Sequence, residues 1–316
     1  MAKEKSIKEL EDLPGIGPTT AEKLKQLGYD TIEKIATASP HELAELSGMK
    51  LEAAKQAVDA AKQATTLEFQ SGNQIYTKRK ALGRILTGAK GLDEMLGGGV
   101  EANAITEAYG RFASGKTQLG FQLSVNVQRP IEVGGLGGKV LFIDTEGTYR
   151  PDRIESVAKA AEMDPKEVLE NMFVVRATTT DQQILAIERA DKLIKENNIK
   201  LIIVDSLMSL FRSEFVGRGA LNERQGKLNI HIHKLQKLAD TYDLAVYITN
   251  QVMDNPGILF GDPTTPVGGN IVAHAATTRL YMRKSKEDKR IVRLVDSPNM
   301  PEGEAVIKIT PDGIRD

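Results

Sequence analysis

The sequence predicts an α/β protein: a mostly parallel sheet with helices on both faces and antiparallel strands at its C-terminal end, joined to a small all-α domain at the N-terminus. Three observations predict it. From Ile85 onward, short apolar runs alternate with helical patterns, as strands linked by helical crossovers require. The last apolar runs follow one another with no helical text between them, so they pair through hairpins. The first 64 residues read as helical, short-looped and internally repeated. A chain of 316 residues has room for one large and one small domain, and an apolar fraction of 41% suits a sizeable core.

In residues 1–64, Leu13-Pro14-Gly15-Ile16-Gly17 with Ala21 and Leu24 behind it recurs more weakly as Leu46-Ser47-Gly48-Met49 with Ala54 behind it, at an offset of 33 residues. The spacing predicts two similar units packed on each other. Gly15 and Gly17 permit a tight turn and leave N–H groups free where Pro18 or Thr19 opens the next helix. Such a hairpin can hold a DNA phosphate, and the wording resembles the helix-hairpin-helix family. With 9 basic and 11 acidic side chains in this stretch, a plain helical bundle for protein contacts is the competing reading. Residues 65–83 break the helical pattern and end in the basic run Lys78-Arg79-Lys80, which predicts a partly extended linker. Phe69 is a large aromatic in a polar context: it docks on a neighbouring molecule or folds back on its own domain.

Residues 84–316 form the core. Strands are expected at 104–108, 139–143, 173–176, 201–204, 245–249, 279–282, 290–295 and 305–309, with helices near 116–128, 151–162, 181–196 and 221–242, and a hairpin turn at 285–289. After the first of these strands comes Gly110-Arg111-Phe112-Ala113-Ser114-Gly115-Lys116-Thr117, then Gln118 and an apolar helix. Glycines at this spacing let backbone N–H groups converge on an anion at the positive end of the following helix. Lys116 then reaches the β and γ phosphates, and the Thr117 hydroxyl sits on magnesium. The motif implies a nucleoside triphosphate with Mg2+. Strand 201–204 ends in Asp205, an acid placed to hold magnesium through its water shell. Asp144-Thr145-Glu146 follows a neighbouring strand, where a carboxylate can activate the attacking water; taken singly, each of these carboxylates also reads as a strand-end cap. Asn250-Gln251 ends a third strand as an amide pair able to sense the γ phosphate.

Two stretches exceed what nucleotide binding needs. Phe211 to Arg224 carries Arg212, Gly217-Arg218-Gly219 and Arg224, and Val252 to Gly269 is rich in glycine and proline with Met253, Ile258, Leu259 and Phe260 exposed. Long loops without structure inside a compact domain are usually functional or disordered. Arginines contact phosphates and apolar side chains wedge between bases, so both suit single-stranded DNA, although Arg218 alone also reads as a solvated charge. With 42 basic and 43 acidic residues overall, any nucleic-acid contact must be local. The absence of cysteine excludes disulfides and thiolate metal sites. Four scattered histidines suggest no zinc site, and His231 with His233 reads as helix surface. No stretch reaches the roughly 18 apolar residues of a membrane span, and the Lys- and Glu-rich start has no leader-like core. A cytoplasmic protein is expected.

The order of these features, with Arg150-Pro151, Arg153, Asp205-Ser206, Arg224-Gln225, Asn250-Gln251-Val252 and Asp296-Ser297-Pro298, resembles the archaeal recombinases of the RecA family over nearly the whole chain. The resemblance implies a RecA-type P-loop ATPase core at 84–316 behind a helix-hairpin-helix domain at 1–64 and a linker with an oligomerisation anchor at 65–83. It implies a DNA-dependent ATPase that forms filaments on single-stranded DNA, pairs it with a homologous duplex, and meets recombination mediators. It assigns Glu146 as catalytic base, Gln251 as γ-phosphate sensor, Arg153 as adenine neighbour, and Arg212, Arg218 and Arg224 as DNA ligands. It also makes Asp296 to Pro301 the cap on ATP from the adjacent subunit, and Phe69 the anchor in the next subunit. Several positions depart from the family wording, the second-loop stretch Asp254-Asn255-Pro256-Gly257 among them. Arg111 and Ala113 stand where the family usually has Glu and Gly, and Gly72 where the anchor ends in Ala. Ala113 fits if its φ is negative; Gly72 loses a methyl contact, a cost of about 1 kcal/mol. A non-hydrolysing accessory factor of a recombinase and a ring-forming motor are the alternatives.

Overall fold

The computed structural model describes Ile7, residues 9–65, 70–254 and 264–316; the side chains of Gln26, Arg218 and Asp254 are not described. The chain divides into two compact units, Met1–Tyr76 and Thr77–Asp316.

In the smaller unit the two repeats fold alike. Gly15 (φ 77) and Gly48 (φ 79) both adopt the left-handed conformation, 33 residues apart as in the sequence. Each precedes a helix, Pro18–Gln26 and Leu51–Ala64. Pro18 opens the first, since proline at the first helical position gives up an N–H that has no intrahelical partner anyway. A β-carbon at Gly15 would lie 3.3 Å from Ala53 Cβ, so the hairpin packs against the second repeat. Leu13, Ile16, Ala21, Leu24, Leu43, Ala54 and Val58 fill this unit's core.

The stretch expected as extended linker is helical from Gly72 to Ala81. Ser71 and Gln74 cap it reciprocally: the Ser71 N–H donates to Gln74 Oε1 (2.7 Å) and the Gln74 N–H to Ser71 Oγ (3.3 Å). Gly72 is exposed with open space around it. Phe69 lies outside the described residues.

The larger unit contains a nine-stranded sheet, here numbered in chain order: β1 (Ala104–Tyr109), β2 (Lys139–Asp144), β3 (Met172–Arg176), β4 (Ile199–Asp205), β5 (Ala245–Asn250), β6 (Thr278–Lys284), β7 (Lys289–Asp296), β8 (Gly303–Thr310) and β9 (Gly313–Arg315). Their spatial order is β9-β8-β7-β6-β1-β5-β4-β2-β3. The six strands from β6 to β3 are parallel and the β6-to-β9 end is antiparallel, as expected. Ser285 N–H closes the β6–β7 turn onto Lys289 O at 3.0 Å. β1, β2, β4 and β5 are almost wholly buried, which is why they read as largely apolar runs, with Thr106 and Glu107 as buried polar exceptions in β1. Two cores flank the sheet, one including Phe121, Phe142 and Tyr247, the other Phe211, Ile232 and Leu235.

The helix expected over 181–196 is two helices, Thr180–Glu188 and Ala190–Asn197, meeting at Arg189. Helix Leu221–Tyr242 runs as expected, but His231 is not on its surface: only 1% exposed, it packs against Phe211 with ring centroids 5.9 Å apart, while His233 is exposed. Nor is Phe211 in a loop; it is buried in a short helix, Ser209–Glu214. The second loop begins and ends as paired strands, Val252–Asp254 with Thr264–Pro266. Met253 is exposed as expected, and Ile258, Leu259 and Phe260 lie outside the described residues.

Candidate functional site: a phosphate loop at the ends of parallel strands

The carboxyl ends of β1, β2, β4 and β5 converge on a cavity of about 730 Å³. Residues 110–118 form one wall, with Glu146, Thr148, Arg153, Asp205, Thr249 and Gln251 around them. Parallel strands place their ligand-binding crevice at this end of the sheet.

The loop turns on two glycines. Gly110 (φ 159) comes so close to β6 that a β-carbon there would stand 2.0 Å from Met282 O, and Gly115 (φ 104) opens helix Lys116–Asn126. Ala113 also has a positive φ, 61°. The condition for its easy acceptance, a negative φ, is not met. A non-glycine residue in this region costs roughly 1–2 kcal/mol. Lys116 Nζ donates to Gly110 O (2.8 Å), Arg111 O (3.1 Å) and Ser114 Oγ (3.3 Å), which centres its ammonium in the loop. Burial holds its pKa below the usual lysine value, against the pull of Asp205 and Glu146. Phe112, on the same wall, leaves its side chain 99% exposed.

Asp205, at the end of β4, gathers three hydroxyls. Its Oδ2 accepts from Thr117 (2.8 Å) and Thr148 (3.0 Å), and its Oδ1 accepts from Thr249. Burial raises its pKa, and these three hydrogen bonds oppose the shift. Thr117 and Asp205 supply hard oxygen donors side by side, the donor chemistry magnesium takes in a site completed by phosphate and water. Among the described residues no cluster of three or more His, Cys, Asp or Glu could hold a metal by itself. Thr148 and Thr249 were not singled out in the sequence. Only the sheet order, which sets β5 and the β2 turn beside β4, gives them a role.

Asp144 serves the backbone. Its Oδ1 accepts from the N–H groups of Glu146 (3.2 Å), Gly147 (2.7 Å) and Thr148 (3.1 Å), and its Oδ2 from Tyr149 N–H (3.3 Å). This staple fixes the turn that presents Glu146 to the cavity. Glu146 Oε1 accepts from Gln251 Nε2 at 2.7 Å. The amide pair is therefore divided: Gln251 faces the site, whereas Asn250 is fully buried and bonds to Glu107 instead. On the opposite wall Arg153 donates to Gln118 Oε1 (2.7 Å), Thr310 O (2.7 Å) and Pro311 O.

Other expected residues lie elsewhere. Asp296 and Pro301 are exposed and do not line the cavity. Arg212 is exposed on helix Ser209–Glu214, and Arg224 sits in the first turn of the long helix. Arg218 lies between them on a single 3-10 turn whose side chain is outside the described set. Gly15 and Gly17 are in the smaller unit, Gly17 capping helix Pro18–Gln26.

The sheet order, the phosphate loop after β1 and the acid at the end of β4 define a P-loop protein of the RecA type. A Rad51 family model matches residues 78–316, and a SAM-like helix-hairpin-helix tandem matches residues 7–63. The chain is 48% identical over 312 residues to the DNA repair and recombination protein RadA of Aeropyrum pernix, covering 99% of this chain and 98% of that protein. The chain belongs to the Rad51 family.

Proposed function

We propose that this chain is a DNA-dependent ATPase and strand-exchange recombinase of the cytoplasm that forms filaments on single-stranded DNA and pairs it with a homologous duplex. The family and the recombination protein RadA of A. pernix support the recombinase reading. The observation that carries the hydrolytic part is the 2.7 Å contact of Glu146 with Gln251 at the rim of the phosphate cavity. In this reading Lys116 and the loop N–H groups bind the β and γ phosphates, and Arg153 with Pro311 holds the adenine. Magnesium, when bound by Thr117 and by Asp205 through water, supplies positive charge to the phosphate oxygens. A water oxygen bonds the γ phosphorus as the bond to ADP breaks, and Glu146 takes the water's proton. Gln251 orients Glu146 through the shared hydrogen bond. Arg212, Arg218 and Arg224 contact DNA phosphates, and Gly15 with Gly17 presents backbone donors to a further phosphate. Phe69, with Gly72 closing its motif, is the anchor between subunits, and Asp296 to Pro301 caps the nucleotide of the adjacent one.

The test is ATP hydrolysis with and without single-stranded DNA across a range of protein concentration. Turnover should rise with DNA and rise cooperatively with concentration. Glu146→Gln should keep ATP affinity within about threefold and lose at least a hundredfold in kcat, the scale of general-base catalysis. Normal turnover in that variant removes Glu146 from its role. Tight ATP binding without DNA-stimulated turnover in the wild type would leave an accessory nucleotide-binding role instead.

A further inference from the structure

Glu107 is a carboxylate in the middle of the central strand β1, with no solvent exposure and no line to the cavity. Its Oε2 accepts from Arg279 Nε on β6 (2.8 Å) and its Oε1 from Asn250 Nδ2 at the end of β5 (2.8 Å). Arg279 in turn lies over the Tyr109 ring, 5.2 Å from its centroid. A buried ionic group of this kind is not needed for stability, because apolar residues of similar volume usually serve as well or better. What it provides is a fixed orientation for the amide it bonds.

That amide is a junction. Besides Glu107, Asn250 Nδ2 donates to Val267 O (2.6 Å). The Asn250 carbonyl accepts from Gly110 N–H (3.4 Å), the first residue of the phosphate loop. The next carbonyl, Gln251 O, accepts from Val267 N–H (2.9 Å). Asn250 thus ties together the start of the phosphate loop and both described stems of the second loop, while strand alternation turns the following side chain, Gln251, toward Glu146.

We propose that Glu107, acting through Asn250, is the positioning residue for Gln251 and for the stems Val252–Asp254 and Thr264–Val267. This rests on the reading of Glu146 and Gln251 as the hydrolytic pair. Glu107 touches no substrate. It holds the side chain that sets where β5 ends, and a slip of about 1 Å there breaks the Glu146–Gln251 hydrogen bond.

The test uses the full chain as wild type, Glu107→Gln and Asn250→Ala, the last also serving if Glu107→Gln folds poorly. Hydrogen exchange is read at the stems and at β4. Either variant should lose at least tenfold in stem protection, with β4 unchanged. In ATP turnover with DNA, kcat should fall at least tenfold with KM within threefold. Adding Glu107→Gln to Asn250→Ala should cause no further loss, because a residue acting through another is silent once that other is gone. Stem protection equal to wild type in a folded Glu107→Gln, or in Asn250→Ala where that variant folds poorly, overturns the proposal. So does equal loss at the stems and β4, or a multiplicative fall in kcat in the double variant. A wild type without turnover defeats the hydrolytic reading alone, and stem exchange still decides whether Glu107 holds the stems.

Discussion

Ala113 has a left-handed backbone that its β-carbon resists, in the one loop where backbone placement matters most. Ala113→Gly should relieve that strain. Glycine's greater freedom in the unfolded chain offsets part of the gain, leaving a net stabilisation of about 0.5–1 kcal/mol. A thermal melt should show the rise, and ATP titration should show equal or tighter binding. Lys116, Thr117, Asp205 and Glu146 were legible as single residues because each sits at a fixed offset from a glycine or a strand end. Thr148 and Thr249 were not, and Asn250 was read with Gln251 as a γ-phosphate sensor, because a hydroxyl or amide acquires its role from the strand placed beside it, and strand order is not written locally. Asp144, readable as chemistry or as a strand-end cap, proves to be a backbone staple.

Helix Leu221–Tyr242 shows what a period alone conceals. Its length and apolar face were readable, yet His231 falls on the buried side against Phe211 and Gln183, its Nε2 3.2 Å from Gln183 Nε2. Burial pushes the His231 pKa down from 6.5 to about 4. Between those values the unfolded chain binds the extra proton, so this contribution to stability is complete above pH 6.5 and is lost as pH falls toward 4. Urea denaturation at pH 7.5 and pH 5 should differ by about 2 kcal/mol less in His231→Gln than in the wild type. The same helix carries Arg224 in its first turn. If Arg224 meets a phosphate, Arg224→Ala should reduce the slope of log affinity for single-stranded DNA against log salt by about 0.7. Parallel slopes would place it off the DNA. The helix Gly72–Ala81 was announced by Ser71 and Gln74, a capping pair three residues apart, but the glycine between them and the polar run behind it masked the signal.

At the scale of the molecule, two units with separate cores should unfold separately. The smaller, with a core of small residues such as Ala21, Ala54, Ala57 and Ala61, should melt first. Calorimetry should resolve two transitions, and ATP with magnesium at about a hundredfold its Kd should stabilise the larger unit alone, by about 2.7 kcal/mol. A single transition moved as a whole by nucleotide would show the units to be coupled. The division into a repeated helical part and a sheet was readable because local repeats and alternating periods are themselves local. The strand order was not. β1 has as its neighbours β5 and β6, both encoded more than a hundred residues after it. This order bears on how the protein is made. During synthesis from the N-terminus, the helical repeats can close as soon as they emerge, whereas β1 waits several seconds or more for either neighbour at ordinary translation speeds. Through that interval a strand with six buried positions is exposed to other nascent chains. A message truncated before Ala245 would yield a finished first domain joined to an unpaired strand that the native fold buries, a product for chaperones and proteases.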